Sequence, residues 1–450
     1  MYLLSTRKVL GVMPISLNPV PCKTMERIIS KALYGFIDDH LIFDEAQFGF
    51  RANRSVTDQL LLTYDHVTYW YDQGHVVDLI LFDFVKAFDR VHHQTLIDKL
   101  AAIEISGSLL QWITSFLLGR EMKVSISGNV SASRPVLSGV PQGSVLGPLL
   151  FLIFINYICS RIQCNYKMFA DDLKLYFHSS APSPGSSQSL PNMQDSINLL
   201  SAVASSWGLR FSTDKCVHFR FARQRHAQAD HLQAPLYNLD GSPIEPSSSH
   251  KDLGVTVDVN LKFHHHIRSA VAKAGGVATN FLKSTVCRSS NFMSTLFTSD
   301  VRPIIDFASP VWNLGFAGQN KLLESVQRRW TKQVIGLTDL SYPERLARLG
   351  MFSIKGRLLR QDLIYCYRIF HGTSVISPTD IFTMNPTANT RGHRYKIQVQ
   401  HSQLEVRRRF FSCRVINRWN SLPHDIVESP SLSTFKSKLH TFLGDELFSP

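Results

Sequence analysis

Two adjacent aspartates inside a run of β-forming residues constrain the fold of this chain more than any other feature. Asp171 and Asp172 lie in the segment 166–177 (YKMFADDLKLYF), where apolar and aromatic residues flank the acids on both sides. Because side chains alternate faces along a strand, two neighbouring acids share one direction only at a tight turn. The segment therefore predicts a β-hairpin with both carboxylates at its tip. Taken alone, it fits a simple polar turn equally well.

A third acid upstream favours a metal site over a polar turn. Asp83 ends the segment 76–84, which is apolar on both faces, as in the centre of a covered sheet. Three carboxylates brought together from two buried strands repel one another unless cations lie between them. Such a set of acids suits a two-metal phosphoryl-transfer site, in which two Mg²⁺ ions about 4 Å apart hold the attacking and leaving oxygens.

Two glycine-containing loops carry further candidate residues. The stretch 137–148 (LSGVPQGSVLGP) has glycines on either side of Gln142, which lets the backbone and one amide side chain approach a ligand closely. Pro148 suits the first position of the apolar helix predicted to follow. The other loop carries Arg51 and Arg54 just ahead of a predicted helix, a place to grip phosphates. A solvated arginine pair is the alternative there.

Composition narrows the class of protein. The chain has 450 residues, enough for about two to four domains, and its net charge of +13 favours a polyanionic partner: nucleic acid, or less readily an acidic membrane surface. Seven scattered cysteines without a Cys-x-x-Cys pair indicate reduced thiols. The longest apolar run, 145–158, is too short to span a bilayer and contains a Gly-Pro pair. We expect a soluble intracellular protein without a membrane segment.

Two later segments stand out. Residues 179–191 are rich in serine and proline and predict a flexible insertion. Residues 391–420 carry eight Lys/Arg against one Glu, interleaved with aromatic residues. Basic side chains for phosphates and rings for stacking fit single-stranded nucleic acid, whereas a solvated basic face over an aromatic core is the competing interpretation. The candidate nucleic-acid-binding residues are Arg391, Arg394, Lys396, Arg407, Arg408 and Arg409.

In chain order, these segments resemble the reverse transcriptase of non-LTR (LINE-type) retrotransposons, most closely the CR1/Jockey-like elements. The resemblance runs from about residue 14 to residue 443. It is carried by an ordered set of motifs: Pro14-Ile-Ser-Leu, Phe48-Gly-Phe-Arg51, Phe82-Asp83 to Phe88-Asp89, Ser138-Gly-Val-Pro-Gln-Gly-Ser-Val-Leu-Gly-Pro148, Phe169-Ala-Asp-Asp172, Gly208-Leu-Arg-Phe to Lys215-Cys, Leu253-Gly-Val-Thr-Val-Asp, and Arg414-Val-Ile-Asn-Arg-Trp-Asn-Ser-Leu-Pro423.

The resemblance implies an α/β (α+β) fold of the right-hand polymerase type, with fingers, palm and a helical thumb. It divides the chain into partial fingers at 1–75 and a palm at 76–262 that contains a fingers insertion near 100–136. A thumb-like helical region at 263–340 and a helical basic C-terminal region at 341–450 complete the expected order.

The resemblance also implies roles for particular residues. The catalytic and metal-binding acids would be Asp83, Asp171 and Asp172, with Asp89 as a structural partner. The nucleotide-binding residues would be Arg51 for the triphosphate, Phe88 as the steric gate that excludes a 2′-hydroxyl, Gln142 in the nucleotide pocket and Lys215 near the leaving pyrophosphate.

The implied function is RNA-directed DNA polymerisation with Mg²⁺, or Mn²⁺, as cofactor, and with an RNA template, a DNA primer and dNTPs as partners. A cytoplasmic ribonucleoprotein and the nucleus are the expected locations. The chain departs from the family at Met13, where an arginine is usual, and at Tyr157, where an aspartate is usual. It also starts late, without the expected endonuclease domain. A catalytically inactive nucleic-acid-binding remnant is therefore the alternative.

Overall fold

The computed structural model describes residues 2–3, 16, 18–126, 129–179, 193–223, 237–385 and 392–450. The predicted serine- and proline-rich insertion, apart from its first residue, and Arg391 lie outside the described residues, as does the Pro14-Ile-Ser-Leu motif apart from Ser16. The chain forms two compact units. The first contains 1–52, 78–219 and 229–246, and the second contains 53–77, 220–228 and 247–450.

A four-stranded sheet forms the centre of the first unit, in the order β7-β8-β2-β9. Its strands are β2 (Val76–Phe82), β7 (Asn165–Phe169), β8 (Asp172–Ser179) and β9 (Val217–Phe221). All but one residue of β2 are buried, so the prediction of a covered central strand is confirmed. The antiparallel β7–β8 pair is the predicted hairpin.

The helices of the first unit pack their apolar faces into one core. They are α1 (Val20–Asp39), α3 (His93–Ala102), α4 (Gly107–Leu117), α5 (Gly147–Ile155) and α6 (Met193–Ser206). Helix α5 is buried along almost its whole length, as its uniformly apolar sequence predicts, and Pro148 lies in its first turn as expected.

Short strands complete the sheet structure. In the first unit they are β1 (Tyr2–Leu3), β3 (Glu121–Met122), β4 (Val124–Ile126), β5 (Asn129–Val130), β6 (Arg134–Pro135), β10 (Asn238–Leu239) and β11 (Ser242–Pro243). Strands β3 and β6 pair antiparallel. In the second unit, β12 (Ser249–Asp252) and β13 (Val255–Asp258) form the predicted later hairpin.

The second unit is mainly helical and includes α2 (Val56–Asp72). Its other helices are α7 (His264–Ser284), α8 (Ser290–Leu296), α9 (Arg302–Asp306), α10 (Ser309–Trp312), α11 (Ala317–Thr331), α12 (Tyr342–Leu349), α13 (Ile354–Phe370), α14 (Pro378–Ile381), α15 (Glu405–Arg409), α16 (Phe411–Asn420), α17 (His424–Val427) and α18 (Leu432–Leu443). Helix α13 has apolar residues at helical spacing, and its C-cap residue is His371. No described helix is long and apolar enough to cross a membrane.

Three buried aspartates on α2 hold C-terminal segments of the same unit. Asp58, Asp65 and Asp72 are seven residues apart, two helical turns, and therefore lie along one face. Asp58 accepts a hydrogen bond from the Ser374 hydroxyl at 2.7 Å, and Asp72 accepts one from the Leu404 backbone N–H at 2.6 Å. These contacts show that α2 and the C-terminal region share one packed unit. The division into fingers, palm and thumb stays a prediction.

Candidate active site

The acidic hairpin positions the two adjacent aspartates differently. Phe169 and Asp172 face each other as the last pair of the β7–β8 ladder, so the turn consists of Ala170 and Asp171. Ala170 adopts the left-handed conformation, with φ 57°. The Asp171 side chain is half-buried within the turn, whereas Asp172, at the start of β8, is exposed. The predicted hairpin is confirmed, and Asp171 is its deeper acid.

The segment around Gln47 and Gly49 fixes this turn. The Gln47 side-chain oxygen accepts hydrogen bonds from the backbone N–H groups of Ala170 and Gly49, both at 2.9 Å. A Cβ atom on Gly49 would lie 2.3 Å from the Ala170 nitrogen, so only glycine allows this approach. Sequence reasoning missed Gln47. Its only signal is its position directly before the Phe48-Gly-Phe-Arg51 motif.

Asp83 directly follows β2, the strand next to β8 in the sheet. Its backbone carbonyl accepts a hydrogen bond from the Ser212 N–H at 2.7 Å, which fixes the strand end. Its carboxylate forms an ion pair with the exposed Lys215 ammonium, with 2.9 Å between Nζ and Oδ2. The hydrogen bond and the charge of Asp83 raise the pKa of Lys215. Lys215 is thus paired with Asp83, and its predicted place near the leaving pyrophosphate stays a prediction.

Asp171 and Asp83 interact electrostatically. Burial, and to a lesser extent the negative charge of Asp83, raise the pKa of the Asp171 carboxyl. Both effects disfavour the ionised form, and a divalent cation next to the two carboxylates would reverse them. Carboxylate oxygens are the donors that Mg²⁺ prefers, so this pair fits the predicted ion. Within the described ranges, however, no group of three or more acidic, histidine or cysteine side chains is arranged as a metal site.

The glycine-rich loop is fastened to the chain that follows Asp83. The backbone N–H of Val140 donates to the Phe88 carbonyl at 3.0 Å, and the Gln142 side-chain amide donates to the Asp89 carboxylate at 2.7 Å. Gly139 has a φ of 88°, and a Cβ there would lie 2.9 Å from the Asp89 Cα. Asp89 is therefore a partner of Gln142, in keeping with its predicted structural role.

The side chains of Arg120 and His93 contact the same glycine-rich loop at the Gly139 carbonyl. The Gly139 carbonyl accepts a hydrogen bond from the Arg120 guanidinium at 2.6 Å and lies 3.0 Å from Nε2 of the buried His93. Arg120 also donates to the Leu117 carbonyl, at the end of α4, at 2.9 Å. Burial lowers the pKa of His93, and the charge of Arg120 adds to this effect. Sequence reasoning identified neither residue.

Phe88 lies between two other aromatic rings. Its ring stacks on that of Phe151 in α5, with centroids 4.0 Å apart and planes at 16°. The Phe50 ring meets it edge-on at 6.3 Å. Since the backbone of Phe88 also holds Val140, the ring is fixed beside the glycine-rich loop.

Arg51 interacts within its own loop. Its guanidinium donates to the Asp44 carbonyl at 2.9 Å and lies over the Phe43 ring, 5.4 Å from the centroid. Burial lowers its pKa despite nearby acids, among them Asp38 and Asp44. Its predicted contact with a triphosphate stays a prediction.

The departure at Tyr157 is accommodated by a hydrogen bond. The Tyr157 hydroxyl donates to the Ile42 carbonyl at 2.9 Å, and the Asn156 side-chain amide donates to the same carbonyl at 2.8 Å. Asn156 also accepts a hydrogen bond from the Asp44 N–H at 3.0 Å. Tyr157 itself adopts the left-handed conformation, with φ 67°, so its hydroxyl is paired but its backbone is strained.

The C-terminal basic residues do not form one surface. Arg407 is a correction to the sequence prediction: its side chain is 3% exposed and forms an ion pair with Asp65 at 2.6 Å, so it is not available to a phosphate. Lys396 donates to the Asn420 carbonyl. Arg409 pairs with Glu405 at 2.9 Å, whereas Arg394 and Arg408 are exposed.

Three of the four aromatic residues of this region belong to the core, whereas Tyr395 is half-buried. Phe410, Phe411 and Trp419 are fully buried, and the Trp419 ring stacks on Phe370 with centroids 5.2 Å apart. They are therefore not available to stack on bases. For these rings, the competing interpretation of an aromatic core was correct.

Comparisons with known proteins agree with the family resemblance over most of the chain. The family model described as "Reverse transcriptase (RNA-dependent DNA polymerase)" matches residues 11–257. Three relatives come from Drosophila melanogaster. The "Probable RNA-directed DNA polymerase from transposon BS" is 24% identical over 81% of this chain and 40% of its own length. The corresponding polymerase from transposon X-element is 26% identical over 72% and 35%. The "RNA-directed DNA polymerase from mobile element jockey" is 29% identical over 56% and 27%.

Proposed function

The chain belongs to the reverse transcriptase (RNA-dependent DNA polymerase) family, and from this membership we propose that it copies RNA into DNA for a non-LTR retrotransposon. Its relatives are named as RNA-directed DNA polymerases of mobile elements. The chain spans at most 40% of the length of these three relatives. The activity, substrates and partners given below are therefore proposals for this chain.

The observation that carries the proposal is the pairing of Asp83 with Asp171. The two acids come from neighbouring strands of one sheet and are close enough for the charge of Asp83 to raise the pKa of Asp171. Gln47 fixes the turn that carries Asp171. Such rigid placement of charges is what phosphoryl-transfer catalysis requires, because it acts mainly by positioning and charge stabilisation.

Asp83 and Asp171, with the adjacent Asp172, would hold Mg²⁺ or Mn²⁺. The ions would acidify the primer 3′-hydroxyl and offset the negative charge on the departing pyrophosphate. Lys215, already paired with Asp83, supplies a mobile positive charge for that pyrophosphate. Gln142 and Phe88 form the nucleotide side of the site, with the Phe88 ring under the sugar. The proposed partners are an RNA template, a DNA primer and dNTPs, met in a cytoplasmic ribonucleoprotein and in the nucleus.

Primer extension on an RNA template tests the proposal directly. With Mg²⁺ or Mn²⁺ and dNTPs, we expect the chain to extend a DNA primer, and we expect Asp171→Asn to reduce the rate about 100- to 1,000-fold, because one of the charges that organise the transition state is lost. Asp172→Asn and Asp83→Ala measure the other two acids separately. Equal extension by the chain and by Asp83→Ala would refute the metal-site assignment.

A catalytically inactive nucleic-acid-binding protein is the second candidate. The observation that favours it is the ion pair of Lys215 with Asp83, together with the absence of a three-acid cluster from the described parts of the chain. RNA binding that weakens with salt, without nucleotide incorporation under either metal, would support this candidate over the first.

The steric-gate role of Phe88 has its own test. We expect Phe88→Val to admit ribonucleotides about 10- to 100-fold more readily relative to deoxynucleotides, because the ring no longer fills the space of a 2′-hydroxyl. Single-nucleotide incorporation kinetics with matched dNTP and rNTP measure this ratio. The control is Phe151→Leu, which removes the stacking partner of Phe88 but keeps the ring at 88. Equal discrimination by Phe88→Val and the unmodified chain would exclude the gate.

A further inference from the structure

Three arginines and one aspartate lie on two helices of the second unit, beyond the end of the family match at residue 257. Helix α9 carries Arg302 and Asp306 four residues apart, and α13 carries Arg357 and Arg360 three residues apart, so each pair lies on one helix face. Arg357 joins the helices through a hydrogen bond from its Nε to Asp306 Oδ2 at 2.6 Å. Arg357 is thus the arginine that holds Asp306, and its charge acts on both Arg302 and Arg360.

The other two arginines lie against aromatic rings, and Arg360 also donates from Nη2 to the Lys436 carbonyl at 3.4 Å. The Arg302 guanidinium is 5.9 Å from the centroid of the Phe297 ring, and that of Arg360 is 5.7 Å from the centroid of Phe352. Both side chains are half-buried. Among the described residues, the Nε atoms of Arg302 and Arg360 have no hydrogen-bond partner, and neither does Oδ1 of Asp306. The cluster therefore contains more positive charge and more donors than its protein neighbours satisfy.

The pKa values of Arg302 and Arg360 also indicate positive charge that is not fully balanced. Burial and the charge of Arg357 together lower the pKa of Arg302 to about 10, against the opposing effect of Asp306. Burial and the charge of Arg357 also lower the pKa of Arg360. Like charges held together in a partly desolvated place are unfavourable in the free protein, and a bound anion would relieve the repulsion.

We propose that Arg302, Arg357 and Arg360 form a binding site for a backbone phosphate of nucleic acid. The planar guanidinium fork matches the oxygens of a phosphate, and arginine is more weakly hydrated than lysine, which favours it at a half-buried site. The choice of nucleic acid over another polyanion rests on the proposed function. This site replaces Arg407, which its buried ion pair removes from the predicted set.

Binding of single-stranded RNA to the full chain tests the site without any catalysis. Fluorescence anisotropy is measured at several salt concentrations, without divalent metal or dNTPs. The variant is Arg302→Met/Arg360→Met, which keeps the Arg357–Asp306 pair. We expect its affinity to fall about tenfold and its slope of log affinity against log salt to become shallower by about 0.7, the value for one lost phosphate contact on a single strand.

The control variant is Arg348→Met, which removes an exposed arginine of α12 in the same unit. If the double variant binds RNA with the same affinity and salt slope as Arg348→Met, the site does not exist. A loss of primer extension with unchanged RNA binding would bear on the proposed function alone. Inorganic phosphate that raises the melting temperature of the unmodified chain but not of the double variant, with equal RNA slopes, would reassign the site to free phosphate.

Stability separates a ligand site from a structural one. In phosphate-free buffer we expect the double variant to melt at the same temperature as the unmodified chain or higher, because the substitutions remove repulsion and unused buried donors. A ligand site thus predicts weaker RNA binding without loss of stability. A lower melting temperature combined with an unchanged salt slope would mean that the arginines only hold α9 against α13.

Discussion

At the scale of single residues, Asp171 shows what it costs to hold one carboxylate half-buried beside another. Its carboxyl is half-buried in a tight turn, and the charge of Asp83 adds to the cost of ionisation. Because the pKa of Asp171 is raised in the folded state, its contribution to stability is complete below the unfolded pKa of about 3.9. That contribution is lost as the pH rises through the folded pKa.

We therefore expect Asp171→Asn to be more stable than the unmodified chain at pH 7, with the difference disappearing toward pH 4 and below. Thermal denaturation between pH 4 and pH 8, in a metal-free buffer, measures the two proteins side by side. Asp172→Asn is the matched control, since its side chain is exposed and should show a smaller effect. Identical melting temperatures for Asp171→Asn and the unmodified chain across this range would contradict the electrostatic account.

The sequence identified residues that act through their own chemistry and missed those that act through another residue. Asp83, Asp171 and Gln142 stood out because acids at strand ends and an amide between glycines have a local pattern. Gln47 did not stand out, since its contact with Ala170 joins residues 123 positions apart. Arg407 was assigned to nucleic acid because a count of charges carries no information about burial.

At the scale of elements, the glycine-rich loop depends on the segment that precedes it. Arg120 lies between α4 and β3, and its guanidinium bridges the Leu117 and Gly139 carbonyls. Its backbone carbonyl also accepts a hydrogen bond from the Val136 N–H at 2.8 Å. The segment around Arg120 thus positions the loop that presents Gln142.

We expect Arg120→Met to raise the KM for dNTPs about tenfold with a smaller change in kcat, because the loop loses one charged hydrogen bond and Gln142 loses its fixed position. Arg120→Lys should recover part of the loss, since an ammonium also donates to a carbonyl. Steady-state primer extension over a range of dNTP concentrations gives both constants.

Arg134→Met serves as the control for Arg120, because it removes an exposed arginine of β6 in the same part of the chain. If Arg120→Met and Arg134→Met have the same KM, the segment around Arg120 does not position the nucleotide pocket.

Elements with a clear local period were predictable. The hairpin of β7 and β8, the buried β2 and the amphipathic α13 follow from alternation or helical spacing alone. The contacts of Arg120 and His93 with the Gly139 carbonyl were not predictable, since they depend on how separate elements pack. The same limit explains why the aromatic residues of 391–420 could be read either as stacking surfaces or as core.

At the scale of the whole molecule, the family-matched part does not contain a complete packed unit. Helix α2 lies within the match, yet its buried aspartates have their partners at residues 374, 404 and 407. We infer that a chain ending at residue 257 loses the hydrogen bonds and the ion pair that these aspartates form, together with the segments that bury this face of α2.

The Asp65–Arg407 pair tests this dependence with single substitutions. We expect Arg407→Met to lower the free energy of unfolding by about 3–5 kcal/mol, because it leaves a buried carboxylate without its cation. The double variant Asp65→Leu/Arg407→Met should be less destabilised than the single one. Arg408→Met, at the exposed neighbouring arginine, is the control. If Arg407→Met and Arg408→Met unfold at the same denaturant concentration, the Asp65–Arg407 pair does not hold the C-terminal region.

The close approach of Gly49 to Ala170 means that intact catalytic acids alone do not show that a chain of this family is functional. A single methyl group at Gly49 would collide with the turn that carries Asp171, although every acid would still be present. Gly139 carries the same vulnerability beside Asp89. A genomic copy can therefore keep all its carboxylates and still have lost the ability to copy RNA. In a survey of related copies, these two glycines are the first positions to inspect.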